Sequence, residues 1–243
     1  MSDLFNTLEE VKNDIKEAIV TKGGVISGGL STYASSINSI VGGTVIKIPV
    51  NTKFTYSTFQ YIPQLDTSEY TNMSRMFSDC SSLVSVPSLD THNVTDMSYM
   101  FNWCSTITTV PYLDTAAVTD VSGMFSNCTS LVSVPTLDIG NVKYVTAGSN
   151  FGMFANCTAL TDIGGLIDFG KSIASDRLNS TEGTNGGMFY KCRNISRQSC
   201  INIFNNLYRV YNLKLAFESA VLNRLQDEDI AIATNKGWTI SSY

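Results

Sequence analysis

Histidine occurs once in this chain, at His92, and charged residues make up only 15% of it. A single imidazole at a variable position leaves Ser-His-Asp and Cys-His catalysis without a supporting constellation. No Lys/Arg cluster appears and the formal charge is -5, so the electrostatic footprint of a nucleic-acid binder is missing. No stretch approaches the roughly 18 apolar residues that a bilayer span needs. The opening MSDLFNTLEEVKNDIKEAIV carries acids where an export signal would place basic residues and an unbroken apolar run. The expectation is therefore a chain made soluble and without a Sec signal, inserted in no membrane and bound to no nucleic acid. Paired carboxylates converging on a cleft, as glycan hydrolysis requires, are not evident either. The chain reads as non-enzymatic, with no catalytic residues, no metal and no cofactor.

What is abundant is Ser, Thr, Asn and Gly beside 43% hydrophobic residues, a composition that suits short strands and turns. The segments IPQLDTSEYTNMSRMFSDC, VPSLDTHNVTDMSYMFNWC, VPYLDTAAVTDVSGMFSNC and VPTLDIGNVKYVTAGSNFGMFANC repeat one another, followed by a degraded copy ending GGMFYKC. Phe77, Phe101, Phe125, Phe154 and Phe189 mark the copies at spacings of 24, 24, 29 and 35 residues. Such periods lie in the leucine-rich window and then stretch by insertion. The expected fold class is α/β: a short leucine-rich-repeat-type solenoid, strand plus short helical turn per rung, with an N-terminal helical segment and a C-terminal α/β cap.

Within a unit, Leu131 to Val134 reads as a strand that Pro135 ends, for want of an N–H. Thr95-Asp96 and Thr119-Asp120 read as N-caps of a single helical turn such as Met97 to Phe101. No unit can cover its own Met, Phe and Leu side chains, so neighbours must stack at about 4.8 Å per strand. On the N-side, Thr44 to Tyr61 is rich in β-branched and aromatic residues and suggests a hairpin. On the C-side, Ser196 to Val210 reads as a helix presenting Ile201, Phe204, Leu207 and Tyr208. Leu213 to Phe217 reads as a strand, and a last helix follows with Asp227 as N-cap, Ile230 and Ala233 inward and Gly237 past its end. The domain boundaries are set at 1–43 for N-terminal attachment or oligomerisation, 44–195 for the repeats and 196–243 for the cap.

Leu4, Leu8, Val11, Ile15 and Ala18 alternate by four and three, a coiled-coil seam of little more than two heptads ended by Gly23-Gly24. A helix this short is marginal alone. Three outcomes are open: self-association, docking on another protein, or folding back on Leu30, Tyr33, Ile37 and Ile40. Gly42-Gly43 is the expected hinge.

Two residue columns invite chemistry. Cys80, Cys104, Cys128, Cys157 and Cys192 share one repeat position. A metal ladder or redox site is one reading; a buried structural column is the favoured one, because thiolate chemistry needs an exposed, electropositive setting. Cys200 reads as a helix-core residue. Asp66, Asp90, Asp114 and Asp138 form the second column. Calcium would relieve their repulsion, but no loop has a recognised ligand spacing, and the favoured reading is that each Asp accepts turn N–H groups. The sequons at Asn72, Asn93, Asn127, Asn156, Asn179 and Asn194 read as turn chemistry. Binding candidates come from exposed variable positions and insertions: Tyr112 in the column of Ser88 and Thr136, Lys143 and Tyr144 in the insertion Lys143 to Asn150, and Asp176, Arg177 and Asn179 in the insertion Lys171 to Gly187.

The motif M-S-x-M-F-x-x-C-x-S-L-x-x-V-P resembles that of the bacterial BspA-like leucine-rich-repeat surface proteins and the phage proteins that share their repeat. The ending DEDIAIATNKGW is similar to the C-terminal cap of phage and gut-bacterial members. The string DIKEAIVTKGGVISGGLSTYASSINSI resembles a module near the N-terminus of phage tail and other virion proteins. Together these resemblances imply a phage virion structural protein, of tail-fibre, head-fibre or accessory type, made in the host cytoplasm. It would be homo-oligomeric, tethered to other virion proteins through its N-terminal segment, and would display its repeats to a host cell-surface protein or glycan. A bacterial BspA-like surface adhesin is the alternative.

Overall fold

The computed structural model describes residues 46–146, 152–173, 187–211 and 213–242. The N-terminal seam of Leu4, Leu8, Val11 and Ile15 lies outside them, as do Gly42-Gly43. Between residues 46 and 195 no described segment is helical. The strands are pairs of residues: β1 Ile46–Lys47, β2 Leu65–Asp66, β3 Ser133–Val134, β4 Leu137–Asp138, β5 Asp162–Ile163 and β6 Leu166–Ile167. Each joins one parallel partner, β1 with β2, β3 with β5 and β4 with β6. The expected fold class is therefore corrected. The solenoid of strand plus helical turn does not form; the chain is a small mixed α/β fold of short strands in two-stranded sheets, with little helix.

The backbone explains the missing helical turn. Arg75, Tyr99 and Gly123, two residues before each column phenylalanine, have φ of 58°, 57° and 61°. Asp79, Trp103, Asn127, Asn156 and Lys191, two residues after, have φ between 61° and 64°. A left-handed residue every fourth position cannot continue a right-handed helix. The amides turn outward to the next copy instead. Met97 N–H donates to Asp120 O at 2.9 Å, Tyr99 to Ser122 O at 2.9 Å and Phe101 to Met124 O at 2.8 Å. Asp96 does not cap a helix; its Oδ1 accepts from Ser98 N–H at 2.9 Å within a turn, and Thr95 Oγ1 donates to Thr71 O at 3.2 Å.

Equivalent positions 24 residues apart meet through parallel bridges, Asn72 with Asp96, Asp96 with Asp120 and Asp120 with Tyr144. This brings the marker phenylalanines into one column. Phe54, Phe77, Phe101, Phe125, Phe154, Phe189 and Phe217 stack with ring centroids 4.9–5.7 Å apart and planes within 16° of parallel. Phe59 closes one end and Phe204 the other, both edge-on. Met, Leu and Val side chains flank the rings in one continuous buried core.

Two further expectations change. Residues 44–61 form no hairpin among those described: β1 runs parallel to β2, and Phe54 N–H donates to Met76 O at 2.7 Å, extending the column by one layer. Pro135 does interrupt pairing, but the chain pairs again at β4, so one copy contributes two short strands.

The C-terminal unit comprises α1 Arg197–Asn206, β7 Leu213–Phe217, α2 Ser219–Leu222, α3 Asp227–Thr234 and β8 Trp238–Ser242. Ser196 caps α1 by accepting from Ser199 N–H, as Ser does at this position. Ser199, Cys200, Ile203 and Phe204 are its buried residues. Ile201 is only partly covered and Tyr208 is exposed. The N-cap of α3 is Gln226 rather than Asp227, because Gln226 and Asp229 form a reciprocal capping box. Ala233 is buried and Ile230 half-buried. The strand β7 pairs parallel with β8, and its last residue, Phe217, is the final ring of the column. The core thus passes unbroken from the repeats into the terminal unit.

Candidate binding surface

The five column cysteines point into the core, and all six thiols are buried and free. Each column thiol donates to the carbonyl of the preceding copy's phenylalanine: Cys80 to Phe54, Cys104 to Phe77, Cys128 to Phe101, Cys157 to Phe125 and Cys192 to Phe154, at 2.9–3.0 Å. Burial pushes the thiols of Cys80, Cys104, Cys128, Cys157 and Cys200 above their ordinary value. A thiol so placed is a hydrogen-bond donor and not a nucleophile.

The aspartate column is also tied to its own backbone. Oδ1 of Asp66, Asp90, Asp114 and Asp138 accepts from the amide two residues on, at 3.1 Å, 3.3 Å, 3.1 Å and 3.1 Å. The Ser68 hydroxyl and N–H hold the Asp66 carboxyl below the usual carboxylate range. His92 does the same to Asp90, its Nδ1 lying 2.5 Å from Oδ1. Asn93, Asn141 and Asn194 donate their amides to carbonyls of the preceding copy at 2.8–3.2 Å. These contacts give Asn93 and Asn194 a structural reason independent of any glycan. Among the described residues no group of three His, Cys, Asp or Glu side chains is placed to hold a metal.

What remains available to a partner is therefore the outward row of each edge. Along the strand edge, Gln64, Ser88, Tyr112 and Thr136 follow the strand prolines, with Gln64 Nε2 donating to Ser88 O at 2.7 Å. Tyr112 stands out from this row at 70% exposure. Lys143 is exposed and Tyr144 borders on it, the latter bridged to Asp120 at the start of its insertion. Asp176, Arg177 and Asn179 lie outside the described residues, so their grouping with Tyr112 has no geometry.

A second row, which the repeat pattern did not single out, lies along the turn edge. Tyr56 is 76% exposed and Trp103 50%, each two residues after a column phenylalanine. Nearby, Arg75 lies over the ring of Tyr99, 4.8 Å from its centroid. The signal was present in the repeat alignment: where other copies place Asp79, Asn127 and Asn156, one places Trp103.

Residues 50–166 match a family described as "Mycoplasma protein of unknown function, DUF285". The match spans just under half of the chain and agrees with the BspA-like part of the resemblance. It does not reach residues 1–49, and nothing supports the virion module there. No curated protein matches the chain.

Proposed function

We propose that the chain is a non-catalytic interaction protein of the BspA-like surface kind, whose stacked copies hold a side-chain surface for a partner. The observation that carries this reading is the family match over residues 50–166, which takes in the ring column from Phe54 to Phe154. The side-chain chemistry is consistent with it. The thiol column is consumed by carbonyl hydrogen bonds and the aspartate column by turn amides, while aromatic and polar residues of the variable positions face outward. A rigid core beneath exposed variable positions is how repeat folds present binding surfaces.

Fractionation tests it directly. Protease shaving of intact cells that express the chain from its own genome should release fragments of residues 46–242, and antibody should label the cell exterior. Recovery of the chain only inside purified phage particles would replace this reading with the virion one.

A further inference from the structure

We propose that the turn edge carrying Tyr56, Asp79, Trp103 and Asn127 is a saccharide-binding site, with Trp103 and Tyr56 as its stacking platforms. The inference rests on the reading of the chain as a binding protein and specifies the chemical class of what it binds. The four residues are consecutive members of one column, joined through the main chain. Tyr56 N–H donates to Ser78 O, Asp79 to Asn102 O, Trp103 to Ser126 O and Asn127 to Ala155 O, at 2.7–3.0 Å.

All four adopt left-handed backbone, with φ of 60°, 61°, 61° and 64°. Asn and Asp accept this conformation most readily after glycine, and bulky side chains resist it. Asp79, Asn127 and Asn156 are the residues the backbone asks for. Trp103 and Tyr56 are not, nor is Lys191 further along the column, and packing does not compensate the two rings, since one is half exposed and the other three-quarters exposed. The contrast within the chain is Trp238, which is 2% exposed and donates Nε1–H to Tyr208 O at 2.9 Å. A position that breaks a local rule without a packing return marks a functional site.

The neighbours specify the ligand. One copy from Trp103, at about 4.8 Å, stands the half-buried Asp79 carboxylate, whose Oδ2 accepts from Ser78 Oγ and whose Oδ1 is left for a ligand; on the other side Asn127 is buried, its amide tied to Ser126 Oγ and Asn156 Nδ2. Two residues further along the turn runs a row of hydroxyls. Ser105 Oγ donates to Ser81 O and Thr129 Oγ1 to Ser105 O, which leaves their oxygens free to accept. A pyranose needs this combination: an aromatic face for its C–H surface, and a carboxylate and hydroxyls for its hydroxyl edge. Tyr56 and Trp103 are two copies apart, roughly 10 Å at strand spacing, so one sugar chain can stack on both with Asp79 between. A protein hot spot would require clustered apolar anchors that exclude water, whereas here polar side chains separate the rings. An anionic ligand would meet Asp79 at the centre of the row.

The full-length chain is applied to a printed array of neutral oligosaccharides, and each hit is titrated by calorimetry for the wild type and every variant, with wild-type tryptophan emission as a second signal. Because Trp238 is buried, the change reports Trp103. Binding is expected, with at least a tenfold loss in Trp103→Asn, a lesser loss in Tyr56→Asn and none in Tyr211→Ala, an exposed tyrosine of the C-terminal unit outside both edges. Trp103→Asn restores the residue type of its neighbours and should raise Tm by about 2–4 °C, so lost binding cannot be ascribed to misfolding. A blank array, or wild-type binding by Trp103→Asn, overturns the proposal. A chain that adheres to cells but leaves the array blank fails the sugar inference while the interaction reading stands; one that adheres to neither fails both.

Discussion

The Cys128 thiol donates to the main-chain carbonyl of Phe101, one copy back, at 2.9 Å. That bond links the two repeating elements of the core, the ring column and the thiol column, and recurs at every copy. The Phe101 carbonyl also accepts from Cys104 N–H at 3.0 Å, so the thiol takes its second lone pair and in doing so gives the buried S–H a partner. Sulfur is a weak donor, but its small apolar body fits the core as Ser would not.

The thiols make stability fall in alkali. Burial raises Cys200 from its ordinary 9.0 to about 12, and pushes Cys104, Cys128 and Cys157 in the same direction. The unfolded chain then releases these protons first. The stabilisation is complete below pH 9 and is lost as pH rises toward the folded values, at up to about 1.4 kcal/mol per pH unit for each such thiol. Denaturant titrations between pH 8 and 11 should show this decline, and Cys128→Ala should make it shallower. An unchanged slope would remove the buried thiols as its cause.

Phe125 lies in the middle of the ring column, 5.6 Å from Phe101 and 5.4 Å from Phe154, with no exposed surface. Truncation to Ala opens a cavity between two copies that cannot close without breaking their main-chain bonds. The expected cost is about 3–5 kcal/mol. Phe125→Leu keeps most of the volume and should cost less than half as much; equal losses from the two variants would show that stacking geometry, and not volume, dominates.

Gly237 holds φ at 86°, and a Cβ built on it would stand 1.7 Å from Val210 O. Both facts forbid a side chain there, since the obstacle is backbone. Gly237→Ala should cost more than about 2 kcal/mol and displace Trp238, which follows it in β8. Tryptophan emission would shift to the red at temperatures where the wild type is still folded. A variant with wild-type Tm and emission would contradict the clash.

Asp229 is nearly covered and receives two bonds from Arg197, Nε to Oδ2 at 2.7 Å and Nη2 to Oδ1 at 3.0 Å, and a third from Gln226 N–H at 2.8 Å. The Arg197 bonds, then the Gln226 amide, hold its carboxyl below the ordinary 3.8. Stability from this group is present above pH 3.8 and is lost as pH falls through the lower folded value. Asp229→Asn should therefore lower Tm at pH 7 and converge with the wild type in acid. Parallel Tm curves down to pH 2 would exclude the ion pair as the acid-sensitive contact.

Much of this was visible in the residues alone. The repeated motif located Phe77, Phe101, Phe125, Phe154 and Phe189 but not Phe54 or Phe217, and the inward cysteines followed from their apolar neighbours. The strand at Leu213–Phe217 and Gly237 after α3 appeared where the pattern put them. Asp before Thr announced an acceptor of turn amides, and the structure supplies those bonds. These features are local or periodic, and a sequence records both.

Conformation and inter-copy hydrogen bonding were decided by tertiary structure. Met97 to Phe101 has the composition of a helical turn, but Tyr99 and Trp103 adopt φ near 60° because their amides are taken up by the next copy; no single unit contains that partner. The same holds for the N-side segment, where β-rich composition suggested a hairpin and the stacked copy offered Phe54 a parallel neighbour. Likewise the neighbours and the exposure of Trp103 were set by the stack. The sequence by itself determined which side chains are buried and how often they recur. The fold decided how each backbone turns between them, since that depends on hydrogen bonds to residues 22 or more positions away.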